Sequence, residues 1–335
     1  MADFRSLTPA EAAHRLCSMR DTLLLCHTSP DGDTLGSAMA LKKLLCALGG
    51  GAEIAAPDKP PEALSPLIRD RILLPGGIDP ARYRSVVCVD VASRAQLGEL
   101  FPLFDGKIDL MLDHHEKSER LSDFCTVPSA AAVGEIVFEI AEILCGEGWF
   151  SDLPAGIAED LYLSLSSDTG CFRFSNATAK THRVAARLLE AGCDGAAINH
   201  LLFESRSPEE LEAERITLQN IRLLLGGRFG AVLLDRAARG ALAAEYFSSA
   251  IDTVRSVRGV AVAAAIKEKD GEDGSFKISL RSDGSVNVSD LCAAFGGGGH
   301  ARAAGCSMRG TGEEVLARLT EAVRAALDGE TEDPS

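Results

Sequence analysis

The 335-residue chain reads as an α/β protein of two domains. Short apolar runs alternate with longer helical segments through the first half, as parallel strands joined by helical crossovers would. The length exceeds what a single hydrophobic core usually fills. After about residue 195 the character changes, and strand-like runs follow one another closely.

Residues 21–27 (Asp-Thr-Leu-Leu-Leu-Cys-His) fit a buried strand, ended by the turn Ser29-Pro30-Asp31-Gly32. A helical segment over 34–48 follows and stops at Gly49-Gly50. Further strands are expected at 52–56, 85–90 and 107–113, with helical segments crossing back between them. Helices are expected over 129–145, 154–166 and 178–191, the last ending at Gly192. Residues 196–207 read as a linker. Ser207-Pro208-Glu209-Glu210 is a helix start, and its apolar stripe runs over 211–225. The C-terminal part reads as strands over 230–235, 260–268 and 275–281, with a turn at Glu272-Asp273-Gly274. Helices over 287–295 and 312–327 complete it. The run Gly296 to Gly299 reads as a loop.

Composition narrows the function classes. A chain 46% hydrophobic and 25% charged is ordinary for a globular protein in water. No apolar run reaches membrane-spanning length. Residues 1–20 mix charged with apolar side chains and lack the pattern of a signal peptide, so a cytoplasmic location is the expectation. The ten cysteines are dispersed without a CxxC pair, which points to reduced thiols rather than disulfides or structural zinc. A net charge of −15 disfavours a protein that wraps long duplex nucleic acid. It does not disfavour a small phosphorylated ligand held through bound cations. The acidic residues 329–335 read as a disordered tail.

Four patches carry the chemistry: His27 to Asp33, Val89-Asp90, Asp113-His114-His115, and Ser167 to Gly170. Each lies at or near the end of an apolar segment. In an open α/β sheet such positions gather beyond the carboxyl ends of the strands. His27, Asp31, Asp33, Asp90, His114 and Asp168 offer four carboxylates and two imidazoles. That is enough for two divalent ions if one carboxylate bridges them, and Asp90 is the natural bridge. Asp31 and Asp33 alternate across a tight turn, so they can face different ions. Asp113 suits a supporting role, holding an imidazole in its tautomer. An Asp-Gly-Asp turn alone is commonly only a turn. Four such patches in this order are hard to assign to chance.

The ordered set resembles the DHH phosphoesterase superfamily, named for the triplet that stands here as Asp113-His114-His115. The run Gly296-Gly297-Gly298-Gly299-His300-Ala301-Arg302-Ala303-Ala304-Gly305 resembles the glycine-histidine motif of the DHHA1 domain. The resemblance covers nearly the whole chain. It implies a DHH catalytic domain over 1–195 with a mostly parallel sheet and a linker with connecting helix over 196–225. A smaller α/β DHHA1 domain over 226–328 would follow, with the active site between the two domains. It also implies that His27, Asp31 and Asp90 hold one Mn²⁺ and that Asp33, Asp90, His114 and Asp168 hold a second, with Mg²⁺ or Co²⁺ as alternatives. His115 would face the scissile phosphate, supported by Asp113. Arg281, Gly297, Gly298, Gly299, His300 and Arg302 would bind the nucleotide, joined by Arg173 from the segment after Asp168. Arg94 is a weaker candidate of the same type, and a Phe of 172 or 174 could stack on a base or simply belong to the core.

Within that superfamily, the resemblance points to the stand-alone group that degrades short oligoribonucleotides and dephosphorylates 3′-phosphoadenosine 5′-phosphate (pAp). The expected partners are short single strands or nucleotide bisphosphates, with no long duplex and no membrane; a homodimer is a family expectation. Soluble phosphodiesterases of cyclic di-AMP or its linear product are the leading alternative. A RecJ-like exonuclease and a non-catalytic nucleotide-binding regulator rank behind it.

Overall fold

The computed structural model describes residues 4–271 and 274–329. Glu272 and Asp273 of the expected turn, and the expected tail from Glu330 onward, lie outside the described residues. The chain divides into two compact units, Met1–Ser205 and Arg206–Ser335.

The first unit is built on six parallel strands: β1 (Thr22–Leu25), β2 (Ala52–Ala55), β3 (Ile72–Leu73), β4 (Ser85–Val89), β5 (Leu110–Asp113) and β6 (Phe124–Thr126). Their spatial order is β3-β2-β1-β4-β5-β6. Around the sheet lie α1 (Pro9–Cys17), α2 (Gly32–Ala47), α3 (Phe101–Phe104), α4 (Val133–Gly146), α5 (Ile157–Asp168), α6 (Ala179–Glu190) and α7 (Gly195–Asn199). Strand alternation sorts the side chains to two faces. Leu24, Val87 and Val89 pack into the large core shared with α1, α2, α4 and α5. Leu23, Leu25, Val86, Cys88 and Met111 pack into a smaller core with Leu97, Leu100 and Phe104. Each of these buried leucines stabilises the fold by roughly 1.5–3 kcal/mol.

Two glycines set how closely α2 approaches α5. A Cβ on Gly36 would fall 2.5 Å from the Asp160 carbonyl oxygen, and one on Gly32 would fall 2.5 Å from Ser167 Oγ. The contact brings the start of α2 beside the end of α5, where two of the acidic patches lie.

The second unit is a mixed sheet of β7 (Ile221–Leu224), β8 (Phe229–Leu234), β9 (Val262–Glu268), β10 (Ser275–Ser282), β11 (Gly298–His300) and β12 (Ala303–Arg309). The order is β11-β12-β10-β9-β8-β7, and only β8 and β9 run parallel. Its helices are α8 (Pro208–Asn220), α9 (Arg236–Arg239), α10 (Ala250–Arg255), α11 (Val288–Ala293) and α12 (Gly312–Gly329). One face forms a core with residues of α11 and α12. On the other face, Ala213, Ile216, Ile251 and Val254 of α8 and α10 pack on Val232, Leu234, Ala263 and Ala265 of β8 and β9.

Three expectations are corrected and one strand is added. No α-helix crosses from β2 to β4; Pro57, Pro60, Pro61, Pro66, Pro75 and Pro80 leave only 3₁₀ turns and the two-residue β3. The helix expected to reach residue 225 stops at Asn220, whose side-chain amide donates to the Ile216 carbonyl. Residues 221–224 then form an edge strand. The strand β6 was hidden by its length of three residues. The glycine run is not a loop throughout, because Gly298 to His300 pair with β12.

Candidate metal centre

The strand order reverses between β1 and β4, and ligands of open α/β sheets gather at such a switch point. His27 follows β1, Asp90 follows β4, and His114 follows β5, so three neighbouring strands deliver three of the candidate residues. Asp90 turns back over the sheet edge with φ +60°, while its N–H donates to the Leu112 carbonyl. A left-handed Asp costs of the order of 1–3 kcal/mol, a strain typical of functional sites. Asp31 caps α2, its Oδ1 accepting from Asp33 N and Thr34 N at 3.0 and 3.1 Å. Thr34 Oγ1 donates to the Val89 carbonyl and ties that cap to β4. Asp168 ends α5.

Three sets of donor atoms result among the described residues; one, Asp90 with His114 and His115, includes a ring nitrogen already bonded to Asp113, and the other two do not involve His115. The ligand atoms of His27, Asp31 and Asp90 lie within 4.8 Å of one another, and so do those of Asp33, His114 and Asp168. Asp90 reaches both sets: its Oδ2 is 3.4 Å from His27 Nε2, and its Oδ1 is 3.6 Å from His114 Nε2. His114 Nε2 is also 3.7 Å from Asp33 Oδ2 and 3.8 Å from Asp168 Oδ2. These separations exceed a normal hydrogen bond. They suit two ligands of one ion, each roughly 2.1 Å from it.

The ring nitrogens are oriented for that task. His27 Nδ1 donates to the Thr28 carbonyl at 2.8 Å and His114 Nδ1 to the Ala130 carbonyl at 3.1 Å. A carbonyl can only accept, so Nε2 is the atom left to coordinate an ion in each ring. His115 is different. Its Nδ1 is bonded to Asp113 Oδ1 at 2.7 Å, and its backbone N–H donates to the same oxygen at 3.2 Å. Asp113 is fully buried beneath it. The nitrogen that comes within 3.6 Å of Asp90 is therefore already engaged.

Electrostatics show what the site asks for. Burial, then the charge of Asp33, pushes Asp90 up to about 7. Burial and Asp33 likewise push Asp168 up to about 7. Burial opposes charge on His27, but Asp31 and Asp90 outweigh it and push the ring up to about 11. His114 rises to about 9 against burial, through Asp33, Asp90 and Asp168. Both carboxylates are raised because they are buried beside a third negative charge. Asp90 Oδ1 is buried with no hydrogen-bond partner among the described residues. A buried, unpartnered carboxylate oxygen is costly unless a cation meets it, so the residues fit divalent ions.

Several supporting contacts had no signal in the sequence. Asp33 accepts from Val133 N at 2.9 Å, Ser37 Oγ at 2.9 Å and Ser164 Oγ at 2.6 Å. The first of these is the N-terminal turn of α4, a natural carboxylate site. A Cβ on Gly134 would meet Ser164 Oγ at 2.2 Å, so that glycine keeps the hydroxyl in place. Asn176 Nδ2 donates to the Asp168 and Ala131 carbonyls, both at 3.1 Å. Only the convergence of α2, α4 and α5 reveals these contacts.

The remaining candidates divide. Arg173 Nε donates to the Gly170 carbonyl at 2.6 Å, and its guanidinium lies 5.8 Å from the Phe203 ring centroid. Phe172 packs against Tyr162 and His182 in the core, and Arg94 is paired with Glu119. In the second unit, Arg281 and His300 are both register partners of Ala303, so they occupy one row across β10, β12 and β11. The His300 side chain lies outside the described residues. A Cβ on Gly297 would fall 2.2 Å from the Gly305 carbonyl oxygen, and one on Gly299, at φ +147°, 2.5 Å from that of Ala303. Gly298 has open space around it. The outer two glycines thus serve close approach to β12, and the middle one leaves the backbone bare. Arg302 lies over Gly284.

Among the described residues, no helix is long and apolar enough to cross a membrane. The profile of the DHH family, N-terminal domain, matches residues 21–164, and that of the DHHA1 domain matches residues 240–329. The bifunctional oligoribonuclease and PAP phosphatase NrnA of Thermus thermophilus is 31% identical over 309 residues, covering 90% of this chain and 88% of that protein. Its namesake from Bacillus subtilis is 26% identical, covering 88% and 91%. The crystal structure of an exopolyphosphatase-related protein from Bacteroides fragilis shares the fold, with a TM-score of 0.87 at 23% identity, covering 97% of this chain and 98% of that one. With both profiles matched in order and the Thermus relative aligned over most of its length, the chain belongs to the DHH phosphoesterase family, in its DHH–DHHA1 form.

Proposed function

We propose that the protein hydrolyses phosphodiester bonds of short oligonucleotides to mononucleotides and removes the 3′-phosphate of pAp. The observation that carries this reading is Asp90, which presents one oxygen to each of two ligand sets. The relatives support the substrate class, being named as oligoribonucleases and PAP phosphatases.

In this reading His27, Asp31 and Asp90 hold one divalent ion, and Asp33, Asp90, His114 and Asp168 hold the other. The mixed imidazole and carboxylate set favours Mn²⁺, with Mg²⁺ and Co²⁺ as alternatives. Bound there, the pair supplies charge neutralisation at the phosphate and lowers the pKa of water. His115 gives a proton to the leaving oxygen. Asp113 hydrogen-bonds its Nδ1 and raises its affinity for that proton, leaving Nε2 as the donor. Arg281, Gly297, Gly298, Gly299, His300 and Arg302 are the phosphate-binding residues of the second unit, and Arg173 is that of the first.

The test is turnover with Mn²⁺ on pAp, a dinucleotide, a five-residue RNA, a long single strand and cyclic di-AMP. Fast release from pAp and the short strands is expected. A preference for cyclic di-AMP would overturn the substrate class, and no turnover on any of them would overturn the enzyme.

A further inference from the structure

The chain carries a net charge of −15, yet one open sheet face of the second unit gathers cations. On β10, Lys277, Ser279 and Arg281 occupy alternate positions and share a face. Lys267 of β9 stands directly across from Lys277, and Ala265 and Ala263 stand across from Ser279 and Arg281. Toward the other edge, Ser307, Gly305 and Ala303 of β12 continue the same three rows. On this face α8 and α10 pack over β8 and β9, and Lys277, Gly305 and Ser307 are exposed.

The Lys267–Lys277 pair runs against local stability. Like charges directly opposite on antiparallel strands are destabilising. Among the described residues, neither lysine is paired with a carboxylate; Lys267 Nζ reaches only the Phe247 carbonyl, at 3.4 Å. Burial, then the charges of Lys277 and Arg239, holds Lys267 below the ordinary lysine range. A conflict of this kind is expected where an anion resolves it.

The same rows border a cavity of about 520 Å³ lined by Lys277, Lys269, Ser279, Ser307, Phe295 and Gly297, among others. It is large enough for a nucleotide. Cations beside an aromatic ring are the usual equipment for a single-stranded nucleic acid.

We infer that Lys277 and Lys267, with Ser279 and Ser307, form a second phosphate-binding step beyond Arg281, which takes a further backbone phosphate of a single-stranded oligonucleotide and makes strands of several residues bind better than dinucleotides. This rests on the oligonucleotide reading above. Lys277 lies four residues from Arg281, about 13 Å along the strand. That span places the step beyond the reach of one nucleotide.

The test is fluorescence anisotropy with labelled di- and pentaribonucleotides, in chelator to halt hydrolysis, across a salt series. The intact chain binds the pentanucleotide more tightly, and Lys277→Gln lowers that affinity up to about fivefold. The same variant lowers dinucleotide affinity less and flattens the salt dependence of pentanucleotide binding by about 0.7 in log–log slope. Lys277→Arg restores both. Equal affinity for the two lengths, or a pentanucleotide affinity and slope unmoved by Lys277→Gln, overturns the inference. Length-dependent binding that needs Lys277, in a chain that turns over no substrate, supports this step while sinking the catalytic reading.

Discussion

The first unit concentrates negative charge in a crevice where three parallel strands end, whereas the second spreads positive charge over an open, mostly antiparallel face. In the crevice, Asp33, Asp90 and Asp113 are buried, and Asp90 Oδ1 and Asp113 Oδ2 have no hydrogen-bond partner among the described residues. On the open face, Lys277 and Ser307 are exposed and contacts repeat with the strand period. A site of the first kind depends on single atoms. One of the second kind is additive and screened by salt. On the proposed reading, chemistry belongs to the crevice and the choice of substrate length to the face.

The sharpest way to break this contrast is Asp90→Ala. Losing the carboxylate shared by both ligand sets should cut turnover about 10³-fold or more, while circular dichroism stays unchanged. Substantial residual activity would show that no oxygen of Asp90 is shared. His115→Ala comes next, with an expected loss of about 10²–10⁴-fold in kcat. Asp113→Asn should cost less and carry a signature in pH. Asp113 holds His115 above its ordinary value, so its loss should move the alkaline fall of kcat to lower pH. An unshifted profile would remove His115 from the proton-transfer role.

Stability should register the same charge imbalance. Asp90 and Asp168 are raised to about 7, His114 to about 9 and His27 to about 11. Groups with raised folded pKa bind more protons folded than unfolded, so their stabilisation is complete below the unfolded pKa and fades as pH climbs through the folded one. For the two carboxylates that window runs from their ordinary value near 3.8 up to about 7. Asp31, held below its ordinary value against burial by His27, opposes the trend. The chelated protein should lose melting temperature between pH 5 and pH 8, and Mn²⁺ should raise it more at pH 8. Each 1 kcal/mol should appear as about 2–4 °C. A gain from Mn²⁺ that is equal at both pH values would mean that ions and protons do not compete.

Smaller again is Gly36→Ala. Its Cβ would fall 2.5 Å from the Asp160 carbonyl and force α2 off α5, at a cost of about 1–3 kcal/mol. If activity falls with stability, the helix contact positions Asp33. If only stability falls, the crevice tolerates the shift.

Much of the crevice's make-up was legible in sequence, because its candidate ligands follow apolar runs and mark the ends of strands: His27 after β1, Asp90 after β4, His114 after β5. What stayed hidden was support from afar. Ser164 lies 131 residues from the Asp33 it bonds, and Val133 lies 100 residues away. No local pattern announces such a pair. The second unit was harder to read for a different reason. Glycine is a poor strand former, so the β11–β12 pairing disguised itself as a loop, and the glycines at 297 and 299 proved to serve backbone contact. The Lys267–Lys277 opposition was equally invisible, since it depends on a register that only the folded sheet defines.

In the proposed site, six side chains form one centre for two cations with Asp90 common to both. Titration with Mn²⁺, followed by electron paramagnetic resonance, tests it most directly. Two ions per chain with a spin-coupled signal are expected, and Asp90→Asn should weaken both sites and abolish the coupling. A single ion per chain, or two uncoupled ions that persist in Asp90→Asn, would contradict it.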